Sequence, residues 1–349
     1  MKEDETSMKE DETSMKEKTF VGVSRLYGDK GGNMGSALYE KTEAVIYEVK
    51  KALTGKDDCI QKAFAAILAG GHILIEDVPG VGKTTLAIAF SKAMDLNHHR
   101  VQFTPDVMPS DLLGFNMYQK NTGKFVYHPG TVVCNLFLAD EINRTSPKTQ
   151  SALLEVMEEG MVTVDGVSRE VPKPFIVIAT QNPKGSAGTQ LLPEAQLDRF
   201  MICMSMGYPD EQSEVDIAKG RSVHAGTEEV QYVLNVQELM QIQKEIEQVY
   251  VHDNLYAYIV HLSQATRENP YIDLGLSPRG SIACTKMAKA WAFLQNRNFI
   301  IPEDVQEVFP EIAKHRLLLN TKARVTHVSP EAVIEEVLAN VRQPATYKK

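Results

Sequence analysis

The sequence is short of the residues that staple or anchor a chain. Its 349 residues include 4 cysteines, Cys59, Cys134, Cys203 and Cys284, far apart and with no C-x-x-C pair. That spacing excludes a disulfide framework or a cysteine zinc site and reads as reduced thiols. No apolar run approaches the ~18 residues that cross a bilayer, and the first residues are acidic, not basic and then apolar. Neither a membrane span nor a secretory leader is expected, and a cytoplasmic location follows. Positive charge is also scarce: Lys and Arg number 37 against 46 Asp and Glu, a net charge of −9, which argues against a general nucleic-acid binder. There is no G-x-S-x-G elbow, and Ser277 stands before a proline in a short loop. His98 and His99 are adjacent and lack the i, i+4 spacing of a helical metal pair. Trp291 and the aromatics around Tyr256 and Tyr258 read as core of a helical region, not as a base-stacking platform.

What is present begins with a repeat. MKEDETS occurs at 1–7 and again at 8–14, and residues 1–18 carry 7 acids and 4 lysines. Such a stretch cannot bury enough surface to offset ordering, so a disordered tail is expected, continuing irregularly through the glycine-rich 19–36. From there helix and strand signals alternate. Helical spacing covers 38–52 and 56–69, a buried strand 73–76, a helix 83–94, a strand 100–103 and a glycine-punctuated stretch 109–130. A strand at 135–139, a helix at 147–159 and strands at 174–179 and 201–205 follow. MVTVDGVSREV (161–171) alternates around Asp165-Gly166, a hairpin signal. Five buried strands separated by helices predict a doubly wound α/β domain with a mostly parallel sheet. After Pro209 the strands stop, and Leu239, Ile242, Ile246 and Val249 share one helical face. The expected organisation is a tail at 1–36, an α/β domain at 37–208 and a smaller all-helical domain at 209–349.

Three strand ends carry chemistry. EDVPGVGKTT (76–85) follows the run Ile73-Leu74-Ile75 and matches a phosphate loop, except that Asp77 stands where the pattern has glycine. Backbone N–H groups at a helix N-terminus converge on phosphates there, and Gly80 and Gly82 let the chain turn tightly around Val81. Lys83 is placed for the β- and γ-phosphates, Thr84 offers its hydroxyl to magnesium, and Thr85 continues the helix. The first position only leaves the strand, so Asp77 is expected to be tolerated. NLFLADEINR (135–144) ends in Asp140, suited to the magnesium shell, and Glu141, suited to polarise a water against the γ-phosphate. FIVIATQNP (175–183) puts Thr180, Gln181 and Asn182 at the same edge, with Asn182 either orienting the water or turning the chain before Pro183. Arg199 in LPEAQLDRF and Arg279 in LSPRG, taken alone, are equally consistent with surface or capping roles.

Together these motifs resemble the AAA+ ATPases, and within them the MoxR family. GGHILIEDVPGVGKTTLA, LADEINRTSPKTQSALLEVMEEG, IATQNP, LPEAQLDRF and LSPRG stand in that family's order, over about residues 38–340. The resemblance implies a P-loop AAA+ core with a five-stranded mostly parallel sheet and a smaller helical lid. It implies ATP and Mg2+ as cofactors, with Lys83 and Thr84 in Walker A, Asp140 and Glu141 in Walker B, and Asn182 as sensor 1. Arg199 would be the arginine finger and Arg279 sensor 2. The hairpin at 161–171 looks like the pre-sensor-1 insert and 114–129 like the helix-2 insert. Family members form rings, commonly hexamers, and act as chaperone-like ATPases on partner complexes, often with von Willebrand factor A-domain proteins. KGSAGTQL (184–191) departs from the more acidic stretch usual there, which touches substrate contacts and not hydrolysis. A nucleic-acid motor and a nucleotide-gated scaffold without turnover are the alternatives. The acidic balance and the Asp165-Gly166 hairpin tip, which lacks a lysine cluster, argue against the first. Glu141 and Asn182 argue against the second.

Overall fold

A computed structural model describes residues 37–77, 80–182, 192–208 and 223–344, with 211, 214 and 215 in the connecting stretch. The expectations for the 1–36 tail and for 184–191 lie outside the described residues.

Five strands form one wholly parallel sheet: β1 (Ile73–Glu76), β2 (His98–Gln102), β5 (Leu136–Asp140), β8 (Ile176–Gln181) and β9 (Ile202–Met204), ordered β2-β5-β8-β1-β9. The central β5 and β8 are buried at every position. Side chains alternate across a strand, so each strand feeds two cores. Ile73, Ile75, Leu136, Leu138, Ile176, Ile178, Ile202 and Met204 face one cluster, while Leu74, Phe137, Ala139, Val177, Ala179 and Cys203 face the other. The first cluster holds α1 (Ala37–Ala52), α2 (Asp57–Leu68) and α3 (Lys83–Ala93), and runs without a break into the lid helices. The second is closed by the short α4 (Pro109–Leu113) and by α5 (Pro147–Glu159). Local chemistry bounds α5: Ser146 Oγ accepts from Thr149 N–H, Pro147 opens the helix, and Gly160 ends it at φ 64°.

Two antiparallel hairpins project from this core. β3 (Gly114–Gln119) pairs β4 (Lys124–Pro129), and β6 (Met161–Val164) pairs β7 (Val167–Glu170) around Asp165-Gly166. They touch each other: Asn116 Nδ2 donates to Asp165 Oδ2 at 2.7 Å, and the Arg169 guanidinium lies 4.0 Å over the Tyr127 ring.

The short α6 (Glu194–Leu197) precedes β9, and beyond Pro209 come α7 (Val223–Glu229), α8 (Val236–Glu247), α9 (Asp253–Glu268), α10 (Pro278–Leu294), α11 (Pro302–Ala313), α12 (Thr321–Val325) and α13 (Pro330–Asn340). Three expectations are corrected here. β2 is not a buried strand; it is a sheet edge on which His98, Arg100 and Gln102 are exposed. The lid is not all-helical, because β10 (Ile272–Leu274) pairs antiparallel with β11 (Leu318–Leu319). Tyr258 is core at 1% exposure, but Tyr256 is 44% exposed. Among the described residues no helix is long and apolar enough to cross a membrane.

Candidate nucleotide site

The residues marked at strand ends divide into two groups. Gly80, Val81, Gly82, Lys83, Thr84, Thr85, Asp140, Glu141 and Asn182 follow the C-terminal ends of β1, β5 and β8, which lie side by side and point the same way. Arg199 precedes β9, whose first residue, Ile202, pairs with Ile73 at the start of β1. It therefore lies at the opposite edge of the sheet.

At the first edge the loop is shaped for an anion. Gly80 and Gly82 have φ of 90° and 99°, the left-handed region where glycine is at ease. Gly82, at the N-cap of α3, brings no capping side chain of its own, the arrangement in which helix N-termini receive anions. Lys83 Nζ donates to the Asp77 carbonyl at 2.8 Å, folded back over the loop. Burial lowers the Lys83 pKa, opposed by the nearby Asp77, Asp140 and Glu141 carboxylates.

The acids beside it are held by their own set of partners. Asp140 Oδ1 accepts from Thr180 Oγ1 at 2.7 Å, and Thr180 Oγ1 in turn accepts from Glu141 N–H at 2.9 Å. Asp140 Oδ2 accepts from Arg100 Nη2 at 2.7 Å. Glu141 sits at φ 56°, a conformation non-glycine residues adopt at a cost of order 1–3 kcal/mol, and Arg144 Nη1 donates to its Oε2 at 2.6 Å. The turn after it is fixed by Gln150 Nε2, which donates to the Ile142 and Thr145 carbonyls at 3.1 and 3.3 Å. Asn143 Nδ2 donates to the Asn182 carbonyl at 3.4 Å, tying this turn to the end of β8.

One hydroxyl, one strand-end carboxylate and an uncapped helix N-terminus suit magnesium that arrives with a nucleotide, where phosphates and waters complete the shell. They do not suit a metal held by protein alone, and the described residues contain no cluster of three or more His, Cys, Asp or Glu that could hold one. His99 Nδ1 pairs with the Thr131 carbonyl at 2.7 Å instead of a metal.

Asp77 is where the sequence reading fails. It is 8% exposed and does more than leave the strand. Its Oδ2 accepts from Ser205 Oγ at 3.1 Å, Met206 N–H at 2.5 Å and Gly207 N–H at 3.0 Å.

At the second edge the two marked arginines meet on one acid. Arg199 Nη2 lies 2.9 Å from Glu158 Oε2, and Arg279 Nη2 lies 2.5 Å from Glu158 Oε1. Arg199 Nη1 donates to the Leu154 carbonyl at 2.6 Å, while its buried Nε has no partner among the described residues. Next to them Arg316 is saturated. Nε donates to Asp198 Oδ1 at 2.6 Å, and the two Nη atoms donate to the carbonyls of Met201, Ile312, Asp198 and Phe200 at 2.6–3.1 Å. Ser277, expected only to precede a proline, caps α10 and donates to Asp198 Oδ2 at 2.9 Å.

Sequence reasoning missed Arg100, Glu158, Asp198 and Arg316. Only the strand order puts Arg100 beside Asp140, with β2 and β5 in register from His98–Leu136 to Gln102–Asp140.

Comparison with known proteins agrees with this geometry. Residues 72–202 match the model of the ATPase family associated with various cellular activities, and residues 264–337 match an AAA lid domain. The chain is 38% identical to Chaperone MoxR1 of Mycobacterium tuberculosis, over 90% of this chain and 85% of that one. The chain belongs to the MoxR family of AAA+ ATPases. Within that family, Bacillus subtilis YeaC is 44% identical over 86% of this chain and 93% of its own. The crystal structure of a Cytophaga hutchinsonii protein, 39% identical, superposes with a TM-score of 0.81 and covers 88% of this chain and 96% of that one. The MoxR assignment made from five ordered motifs is thereby borne out, as is the α/β AAA+ fold with a following lid.

Proposed function

We propose that this MoxR-family chain is a magnesium-dependent ATPase that works as a homo-oligomeric ring, a hexamer, and remodels or activates a protein partner. Thr84 and Asp140 hold the magnesium, Glu141 polarises the attacking water, Asn182 orients it, and Lys83 binds the β- and γ-phosphates. Arg199 acts as arginine finger on the nucleotide of the neighbouring subunit, and Arg279 acts from the same side. The observation that carries the reading is the division of the site between two edges of one sheet. No arrangement of this fold brings Arg199 to its own phosphate loop without dismantling β9 and β1. A ring supplies the missing edge from the next subunit.

The client is a protein, with a von Willebrand factor A-domain protein as the first candidate, and the relative named Chaperone MoxR1 supports that class. The net charge of −9 and the acidic hairpin tip weigh against a nucleic-acid motor. The test is phosphate release from Mg-ATP together with sedimentation in the presence of ATP. Glu141→Gln should keep ATP binding and the ring while turnover falls about 10²–10⁴-fold, the usual worth of a general base. The same trapped variant should retain the client in a pull-down. Near-wild-type turnover in Glu141→Gln would move the base elsewhere, and stimulation by DNA would favour the motor.

A further inference from the structure

Asp77 occupies the one position at which the phosphate loop departs from its pattern, and its carboxylate is committed to a single target. We propose that Asp77 is a positioning residue that locks the first turn of the phosphate loop to segment 205–208, where the chain leaves the sheet for the lid. The inference rests on reading residues 80–85 as the nucleotide cradle.

Three observations support it independently. The donors from Ser205, Met206 and Gly207 all converge on one oxygen, Oδ2, and two of them are successive backbone N–H groups. Successive N–H groups ending at a left-handed residue make an anion-binding nest, and Gly207 has φ 64°. The same segment is clamped from its carbonyl side: Lys56 Nζ donates to Met206 O at 2.7 Å, Gly207 O at 3.3 Å and Tyr208 O at 2.6 Å. A side chain at Gly82, in the loop itself, would meet Leu53 Cδ2 at 2.8 Å and Met206 Cε at 3.7 Å. Segment 205–208 is thus held between Asp77 on its N–H side and Lys56 on its C=O side, with the loop packed on it.

The link to nucleotide is Lys83. Its ammonium donates to the Asp77 carbonyl. When the lysine turns to the phosphates, the Asp77 peptide loses that cation while its side chain still holds Met206 and Gly207. Loop geometry and the start of the core-to-lid connection therefore change as one unit. A glycine at position 77 would cut this connection while leaving the loop's own N–H groups in place.

The test is binding of fluorescent mant-ADP with Mg2+ at a temperature well below the melting point of every variant, paired with hydrogen exchange at the amides of 206 and 207. Asp77→Gly should weaken mant-ADP binding more than about tenfold, well beyond what an idle strand-exit residue would cause. Asp77→Asn presents a neutral oxygen at the same place and should recover most of that loss, because all three donors need only one acceptor. In the wild-type chain, exchange at 206 and 207 should respond to mant-ADP, and in Asp77→Gly that response should vanish. If Asp77→Gly lowers the melting temperature but binds mant-ADP within threefold of wild type, the residue is merely structural and the inference is wrong. Should Asp77→Gly fail to fold, Asp77→Ala decides it, because it removes the acceptor without loosening the backbone: affinity within threefold of wild type together with an unchanged exchange response at 206 and 207 overturns the proposal. A wild-type chain that binds no mant-ADP overturns the cradle reading as well, so the two failures are distinct.

Discussion

The two edges of the central sheet hold opposite halves of one chemistry. The loop edge carries acids that each have a nearby cation, Asp140 with Arg100 and Glu141 with Arg144. The arginine edge carries two guanidiniums that share one acid, Glu158. At the second edge Arg199 and Arg279 have one carboxylate between them, while the neighbouring Arg316 has Asp198. On the proposed reading, the edge that such a chain lacks comes from a second copy. That is a stronger argument for trans action than the identity of any single arginine, since a surface ion pair by itself is worth only about 0–1 kcal/mol. Glu158, at 35% side-chain exposure, pairs with both arginines at the surface, where such pairs are weak.

The largest way to break this comparison is Arg199→Ala. An arginine finger contributes roughly 10³–10⁵ in rate where it has been measured, so turnover should fall by that order while ATP affinity barely moves. Mixing Arg199→Ala with Lys83→Ala subunits should restore part of the activity, because a competent pocket can then face a competent arginine. Mixed rings that form and stay inactive would move the finger to Arg144 or Arg279.

A smaller effect separates architecture from chemistry on the same edge. Arg316 is 7% exposed and spends every N–H on Asp198, Phe200, Met201 and Ile312. Arg316→Met takes the cationic partner from Asp198 Oδ1 and the donors from several carbonyls, and should cost about 3–5 kcal/mol of stability, read as a lower chemical-denaturation midpoint. Nucleotide affinity measured on the folded fraction should stay unchanged. A variant as stable as wild type would make Arg316 dispensable and leave α11 held to the sheet by apolar packing alone.

The smallest effect is a pH dependence at the arginine edge. His72 Nδ1 accepts from Val177 N–H at 3.1 Å while Nε2 meets the Met157 carbonyl at 3.1 Å, so only the neutral ring fits. Burial lowers its pKa from the ordinary 6.5 to about 4. The unfolded chain thus takes up this proton first, and the contribution of His72 is present above pH 6.5 and lost progressively as pH falls towards 4. His315, held against the Phe200 carbonyl, is shifted the same way by burial. His72→Gln should flatten the fall of unfolding free energy over that window by up to about 1.4 kcal/mol per pH unit. An identical slope in variant and wild type would show that the ring titrates normally.

Much of this was legible in the sequence where the signal is local. The helix at 147–159 and the 161–171 hairpin around Asp165-Gly166 were readable because their signals lie within a few residues, and the structure bounds that helix with Ser146, Pro147 and Gly160. The placement of Lys83, Asp140 and Asn182 at one edge was readable because a buried strand followed by a polar pair marks a strand end. What needed the fold depends on long-range pairing. Arg100 reaches Asp140 only because β2 lies against β5, and Glu158 meets Arg199 and Arg279 from positions 41 and 121 residues away. β10 and β11 are too short for any alternation to show, and they exist through each other. Asp77 was misjudged for the same reason: its partners lie 128–130 residues downstream.

The shared core has a consequence for the order in which the protein can be made. Phe64, Val45 and Phe90 from the first helices belong to the same apolar cluster as Trp291, Phe293 and Phe309 from the lid. A ribosome delivers the first group some two hundred residues before the second. Until α10 and α11 emerge, the part of this cluster that the lid helices cover is left to solvent, the kind of surface that makes nascent chains stick. The lid therefore covers apolar surface of the α/β portion that was synthesised long before it.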